Sequence, residues 1–510
     1  MTIPGTPNVR RATAFAVLAM LAAAAPLQGA EQWIEVKSAH FVVTSNAGQG
    51  SAKTIAWQLE QVRSAIVSLY QWAKVDLNKP LTVLAVKDET SMKALAPHYW
   101  EVKGGVRPAS VWVGGEDQNF LLVRTDVDVS SQGQVNPYIT AYFSYVNMIL
   151  QQSLRRDLPA WFTRGLTGVL SNVLIRDGKV VLGSPISWHL QRLRDTPRLK
   201  LRALIAVDRN SPEFTSDEGL RTFDAESWLL VHFLMFGENG AHAGALDKFV
   251  QMAMNGTDPG AAFAEAIGKP EDLETPFGNY VGRSIFGARQ LNVDVTVKPE
   301  GFTVRQLPVT ESSSRRALFH AAMNRPVEAR AAIAEARKAG AAPDSFVAEA
   351  LLLDREGKTA EAKAAFERAT KEGCTDGYAY YRLASIMWRP GSDPDTLKQV
   401  EALYSKAVEL NTNDAWGYAS LGDVRSILGI GDPLSLVLRA IRLEPSEPWH
   451  HLRAANVLWR QRKFDEATKE AQAALDLAKD DDTRRQAREM LDDLKRAKGG
   501  KRPIQARREP

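Results

Sequence analysis

The spacing of apolar residues changes several times along this chain. Trp33-Ile34-Glu35-Val36 and His40-Phe41-Val42-Val43 have the pattern of one extended strand with a kink. From Ser51 to Trp72, Ile55, Leu59, Val62, Ile66 and Leu69 recur at helical spacing, which predicts an amphipathic helix. Leu81–Val86 is apolar but for Thr82, the pattern of a buried-type strand. Val111–Val113 and Phe120–Val123 predict a hairpin across Gly114–Asp117. From about Pro137 to Val173 the period is helical, and Pro159 breaks it in two. Lys179–Leu182 predicts a short strand, and the chain to about Phe286 is mostly helical. The expectation is an α+β first half with a small mixed sheet. In 290–312, Val293, Val295 and Val297 alternate with polar residues, predicting an extended linker over 289–314 that pairs as a short strand.

From about Arg315 the composition shifts to Ala, Glu, Lys, Arg and Leu, and the sequence repeats. A small–large–small pattern closes on Ala336, Ala369, Ala407, Ala440 and Ala474, in steps of 33, 38, 33 and 34 residues. A period of about 34 residues is that of the tetratricopeptide repeat (TPR), two helices per unit. The long step contains Pro390-Gly391-Ser392-Asp393-Pro394, which predicts a loop insertion. An all-α solenoid is therefore expected over 315–494, with a disordered basic tail over 495–510.

At the start, Arg10 and Arg11 precede an apolar run from Ala12 to Ala25, followed by Pro26 and small residues to Ala30. This pattern predicts a signal peptide over 1–30 and a periplasmic or secreted mature chain without a transmembrane segment. Cys374 is the sole cysteine, which excludes an intramolecular disulfide. A net charge of +4 over 510 residues, with no aromatic-basic motif, gives no argument for nucleic acid.

The segment Leu158-Pro159-Ala160-Trp161-Phe162-Thr163-Arg164-Gly165-Leu166-Thr167-Gly168, with its preceding helix, resembles the core of bacterial peptidase-MA-like domains of gluzincin type. The resemblance covers about 31–285, within a domain expected over 31–288, and includes Trp33–Val43, Gly183–Ile186 and Phe223–His232. It implies a zinc site in which two His one helical turn apart and a downstream Glu bind the metal, with a Glu as general base. Mapped onto this chain, the first His is Phe143, the base Ser144, the second His Asn147 and the ligand Glu is Arg164. Phe cannot ligate, Ser is a poor base, and Arg is a permanent cation. No two of the eight His are four apart. His189, His232 and the pair Asp224/Glu226 are the remaining candidates for a rebuilt site.

The resulting expectation is a non-catalytic pseudo-peptidase with a TPR array, needing no metal or cofactor and binding a protein or peptide as a scaffold or assembly factor. A divergent metal-dependent hydrolase with a rebuilt site, or a purely structural envelope protein, are the alternatives. In the repeats, Tyr378, Trp416 and Trp449 share one position, six before Ala384, Gly422 and Ala455. In this repeat class that position lines the concave face, and Tyr381, Trp388, Asn456 and Trp459 lie on the same faces. These are peptide-binding candidates, because rigid aromatic area binds at low entropic cost; inter-repeat packing is the competing use. Arg453 and Arg460 would hold a carboxylate or stay solvated.

Overall fold

The computed structural model describes residues 31–101, 107–127, 135–154, 158–176, 179–283, 285–291, 298–340 and 342–498. The predicted signal peptide, the Val293/Val295/Val297 alternation and the tail from Gly499 lie outside the described residues.

The first half is built on a six-stranded mixed sheet ordered β4-β5-β3-β2-β1-β9. Its strands are β1 (Trp33–Lys37), β2 (Val42–Ser45), β3 (Leu81–Val86), β4 (Ser110–Gly114), β5 (Asn119–Arg124) and β9 (Thr303–Leu307). The expected single kinked strand is instead an antiparallel hairpin of β1 and β2. The turn closes where Ser38 N–H donates to Phe41 O at 3.0 Å. β3 lies between parallel neighbours, with Val83 opposite Val43 and Leu121. The predicted β4–β5 hairpin forms, with Gly114 opposite Asn119. A second sheet holds β6 (Leu174–Arg176), β7 (Lys179–Leu182) and β8 (Arg289–Leu291).

Helices α1 (Gln49–Leu69), α2 (Glu89–Leu95), α3 (Ile139–Ser153), α4 (Ala160–Ser171), α5 (Ser187–Asp195), α6 (Asp217–Phe236) and α7 (Pro270–Val281) complete this half, with shorter helices between them. Strand side chains alternate between two cores. Val83, Ala85, Leu121 and Val123 join the core formed with α1, α3, α4 and α6. Leu84, Val86, Phe120 and Leu122 face the other way.

That second face is covered by the repeats. The array runs through α8 (Val309–Ala322), α9 (Pro326–Ala339), α10 (Pro343–Arg355), α11 (Thr359–Lys371), α12 (Gly377–Met387), α13 (Pro394–Leu410), α14 (Ala415–Leu428), α15 (Pro433–Leu443), α16 (Pro448–Arg460) and α17 (Phe464–Leu477). A final helix, α18 (Asp481–Lys498), packs on α17, so Lys495–Lys498 of the expected tail are helical. Helices pair as hairpins, α8 with α9 through α16 with α17. Each closing alanine, from Ala336 to Ala474, is fully buried. These small residues let paired helices approach closely.

The segment 289–314 is not a free linker. β9 pairs along the whole of β1, with Ile34 opposite Gln306. The first repeat helix begins at Val309, ahead of the expected start at 315. Ser312, Ser313 and Ser314 resemble a loop because serine is a weak helix former. Here they are buried within α8, and Ser314 Oγ donates to Thr310 O at 2.6 Å. Glu35 of β1 accepts from both Arg305 and Arg315, which fixes β9 and α8 to the sheet.

Candidate functional site

Helix α4 carries Gly165 and Gly168 on the side facing α6. A Cβ on Gly165 would stand 2.3 Å from Ser227 O, so only glycine permits this approach. The contact brings Arg164 of α4 beside Asp224 of α6. Arg164 Nε donates to Asp224 Oδ1 at 2.6 Å and its Nη2 donates to Oδ2. The guanidinium also lies over the Phe143 ring of α3, 4.9 Å from its centroid.

These residues line a cavity of about 380 Å³, together with Thr140, Ser144, Trp188 and His189. Phe143, Ser144 and Arg164, three of the four positions singled out by the resemblance, line this one cleft. Asn147, one turn along α3, is half-buried and does not line it. Trp188, 49% exposed, stands at the cavity wall.

Of the candidates for a rebuilt site, only His189 and Asp224 reach the cleft. His189 stacks on Trp228 with ring centroids 5.8 Å apart. Burial, reinforced by the charge of Arg164, lowers its pKa to about 4. His232 is buried elsewhere, with Nδ1 against Tyr280 Oη at 2.8 Å and Nε2 against Gly183 O at 2.7 Å. Glu226 is also buried, and one oxygen accepts from Leu199 N–H at 2.9 Å. Burial pushes its carboxyl up to about 7. Among the described residues, no three of His, Cys, Asp and Glu converge to hold a metal ion. Ser144, His189 and Asp224 share the cleft without the connections of a nucleophile triad. Ser144 Oγ donates to Thr140 O at 3.2 Å, and Asp224 is held by Arg164.

His189 gives a test of this electrostatic arrangement. A histidine with a depressed folded pKa costs stability as pH falls below its unfolded value of about 6.5. Arg164→Met is expected to raise the pKa of His189 from about 4, because it removes the cation and frees the Asp224 carboxylate. NMR titration of the His189 ring would show this, and an unchanged pKa would mean that the charge of Arg164 does not reach it.

In the repeats the aromatic candidates do not form an open stripe. Tyr378, Tyr381, Trp388, Trp416, Trp449 and Trp459 are half-buried, and Asn456 is exposed. Tyr381 contacts Tyr378 and Tyr404, with centroids 6.0 and 5.7 Å apart. Trp416 packs on His450 of the next repeat at 4.9 Å, under Arg453. Arg453 is paired with Asp423 rather than left for a ligand carboxylate. Trp449 and Trp459 pack on the core of the last repeats. The same periodicity that aligns these residues also sets them against the next repeat, which is why packing competes with display. Cys374 is buried, and burial pushes its thiol up to about 12, far from a reactive thiolate.

No family model and no curated protein matches this chain. Solved structures to which it is similar are TPR proteins. YrrB, described as a TPR protein with an unusual peptide-binding site, is 20% identical; the match covers 34% of this chain and 90% of that one, with a TM-score of 0.30. TTC0263, a thermophilic TPR protein of Thermus thermophilus, is 21% identical over 36% of this chain and 98% of that one, with a TM-score of 0.27. PilF of Pseudomonas aeruginosa is 13% identical over 38% and 93%, with a TM-score of 0.28. The repeat architecture of this chain rests on its own helix pairing and period.

Sequence reasoning missed two features of the site. One is Asp224 as the fixed partner of Arg164, sixty positions away. The other is the contact of the first half with the repeats through the loops around Lys74–Asn78 and Gly115–Gln118. Asn411 Nδ2 donates to Asn78 O at 2.9 Å, and Asn78 Nδ2 donates to Glu444 Oε1 at 2.7 Å. Lys74 Nζ donates to Leu443 O at 3.1 Å. Arg355 Nε donates to Glu116 Oε1 at 2.8 Å, and Tyr378 Oη donates to Glu116 Oε2 at 3.2 Å. No local pattern in the sequence signals such contacts.

Proposed function

We propose that this chain is a non-catalytic, peptidase-like domain fused to a TPR array, and that it works by holding a protein or peptide partner. The observation that carries the reading is Arg164. A permanent cation, clamped by Asp224 and covered by Phe143, occupies the cleft where a gluzincin-like site would need an anionic ligand. The partner would be taken by the repeats, whose paired helices present a long curved surface.

Elemental analysis of the dialysed protein is expected to find substoichiometric zinc, and a denatured model protein should survive incubation with it in the presence of zinc. One tightly held zinc per chain, or zinc-dependent cleavage, would overturn the reading.

The mature chain is further proposed to be exported, on the strength of the basic and apolar pattern before Ala30. N-terminal sequencing of the protein from its native host is expected to begin at or near Glu31. A first residue of Met1 would exclude cleavage.

A further inference from the structure

Two carboxylates lie where the first half meets the repeats, Asp117 buried and Asp376 half-buried. Asp117, on the β4–β5 loop, is only 4% exposed. Asp376 caps α12, accepting from Tyr378 N–H at 2.9 Å through Oδ1. Its Oδ2 is buried without a hydrogen-bond partner. The two residues belong to one contact, because Glu116, next to Asp117, accepts from the hydroxyl of Tyr378, two residues after Asp376.

We propose that the loop Gly115–Gln118 is an internal occupant of the repeat face at Tyr378, and that the Asp117/Asp376 pair makes its release proton-dependent. The docked arrangement holds when the pair keeps a proton and loosens when both carboxylates ionise. Like charges in a shared dry site repel strongly, so docking and full ionisation oppose each other.

The surroundings offer little relief. Asp117 is acted on by Gln118 Nε2, which donates to its Oδ2 at 3.0 Å, by its own amide and that of Gln118, and by Lys79, whose Nζ donates to Gly115 O at 3.1 Å. On the repeat side Asp376 is flanked by further acids, Asp344 and Asp414, and its carboxylate accepts from the Tyr378 N–H. Arg355 is already taken by Glu116 and by Ala321 O. Burial lifts Asp117 to about 6, and burial together with Asp117 lifts Asp376 well above the usual carboxylate range.

The sign follows from linkage. A carboxyl whose docked pKa is raised binds more protons docked than undocked. Docking is therefore unpenalised below the ordinary carboxylate pKa of about 4, and weakens as pH rises through about 6 and above. The consequence for partner access rests on the function proposed above: near neutral pH the face at Tyr378 opens to a partner, and in acid the chain covers it itself.

The test uses the full chain and no partner, so its outcome is independent of whether the partner reading holds. Amide hydrogen exchange at 114–118 and 376–381, corrected for the intrinsic rate, is measured between pH 5 and 8. Protection is expected to fall about tenfold across that range. Asp117→Asn, which keeps the shape and removes the charge, should raise protection at pH 8 and flatten the pH dependence. Glu116→Gln breaks the ion pair to Arg355 but keeps the two aspartates; it should lower protection at every pH while keeping the slope. Equal slopes for wild type and Asp117→Asn, or a flat wild-type profile, would overturn the proposal.

Discussion

Replacing Gly165 with alanine is expected to destabilise the first half by up to about 2 kcal/mol, despite the better helix propensity of alanine. The gain from propensity is about 1 kcal/mol. Against it stands a Cβ placed 2.3 Å from Ser227 O and 2.6 Å from a Val231 methyl carbon. The carbonyl belongs to helix α6 and cannot rotate away as a side chain would, so the helices must separate. Overpacking of this kind typically costs about 1–3 kcal/mol, occasionally more. Separation also pulls Arg164 from Asp224, so the shape of the cleft should change with stability. Gly50 is the matched control. It lies in the first turn of α1, and a Cβ there would meet nothing within 4 Å. Gly50→Ala should be neutral or stabilising by up to about 1 kcal/mol. Chemical denaturation of both variants checks the opposite signs; equal midpoints would show that the α4–α6 contact is softer than its geometry implies.

Truncating Phe319 to alanine is expected to have a larger effect, about 3–5 kcal/mol, and to change the form of unfolding. Phe319 is fully buried in α8, and its ring meets Phe120 of the central sheet edge-on, with centroids 5.7 Å apart. The side chain thus joins the sheet and the first repeat in one core. Removing it leaves a cavity at the seam. Wild-type thermal unfolding is expected to couple the two halves, whereas Phe319→Ala should separate their transitions. Calorimetry distinguishes these outcomes, and a uniform downward shift of a single transition would mean that other contacts at the seam carry the coupling.

The parts of this protein that could be read from its sequence are those in which a local pattern repeats. The alanines from Ala336 to Ala474 are spaced by a packing rule that acts within about one repeat, and each is buried as that rule demands. Leu81–Val86 is apolar apart from Thr82, and its alternate residues enter two different cores. The hairpin at Gly114–Asn119 followed from its turn residues. The candidate site was legible only in part. Phe143, Ser144 and Arg164 line a common cleft, but Asn147 does not.

What escaped the sequence depends on distant partners. Ser312–Ser314 has a weak local preference, and burial against the sheet and neighbouring helices makes it helix. His189 and His232 look alike along the chain. Packing sends one to the cleft and the other to Tyr280 and Gly183. Aromatic positions of the repeats are fixed by period, but whether a ring is displayed or spent on the next repeat depends on the neighbour it meets, as Trp416 meets His450. The sequence alone determined the repeat period, the place of the helical array in the second half, and the strand pattern of the first half. Only the tertiary structure decided that Arg164 is locked to Asp224, that β9 completes the sheet, and that Glu116 docks on Tyr378. Periodicity is a property of neighbouring residues, whereas ion pairs, shared cores and buried carboxylates arise between segments that meet only once the chain has folded.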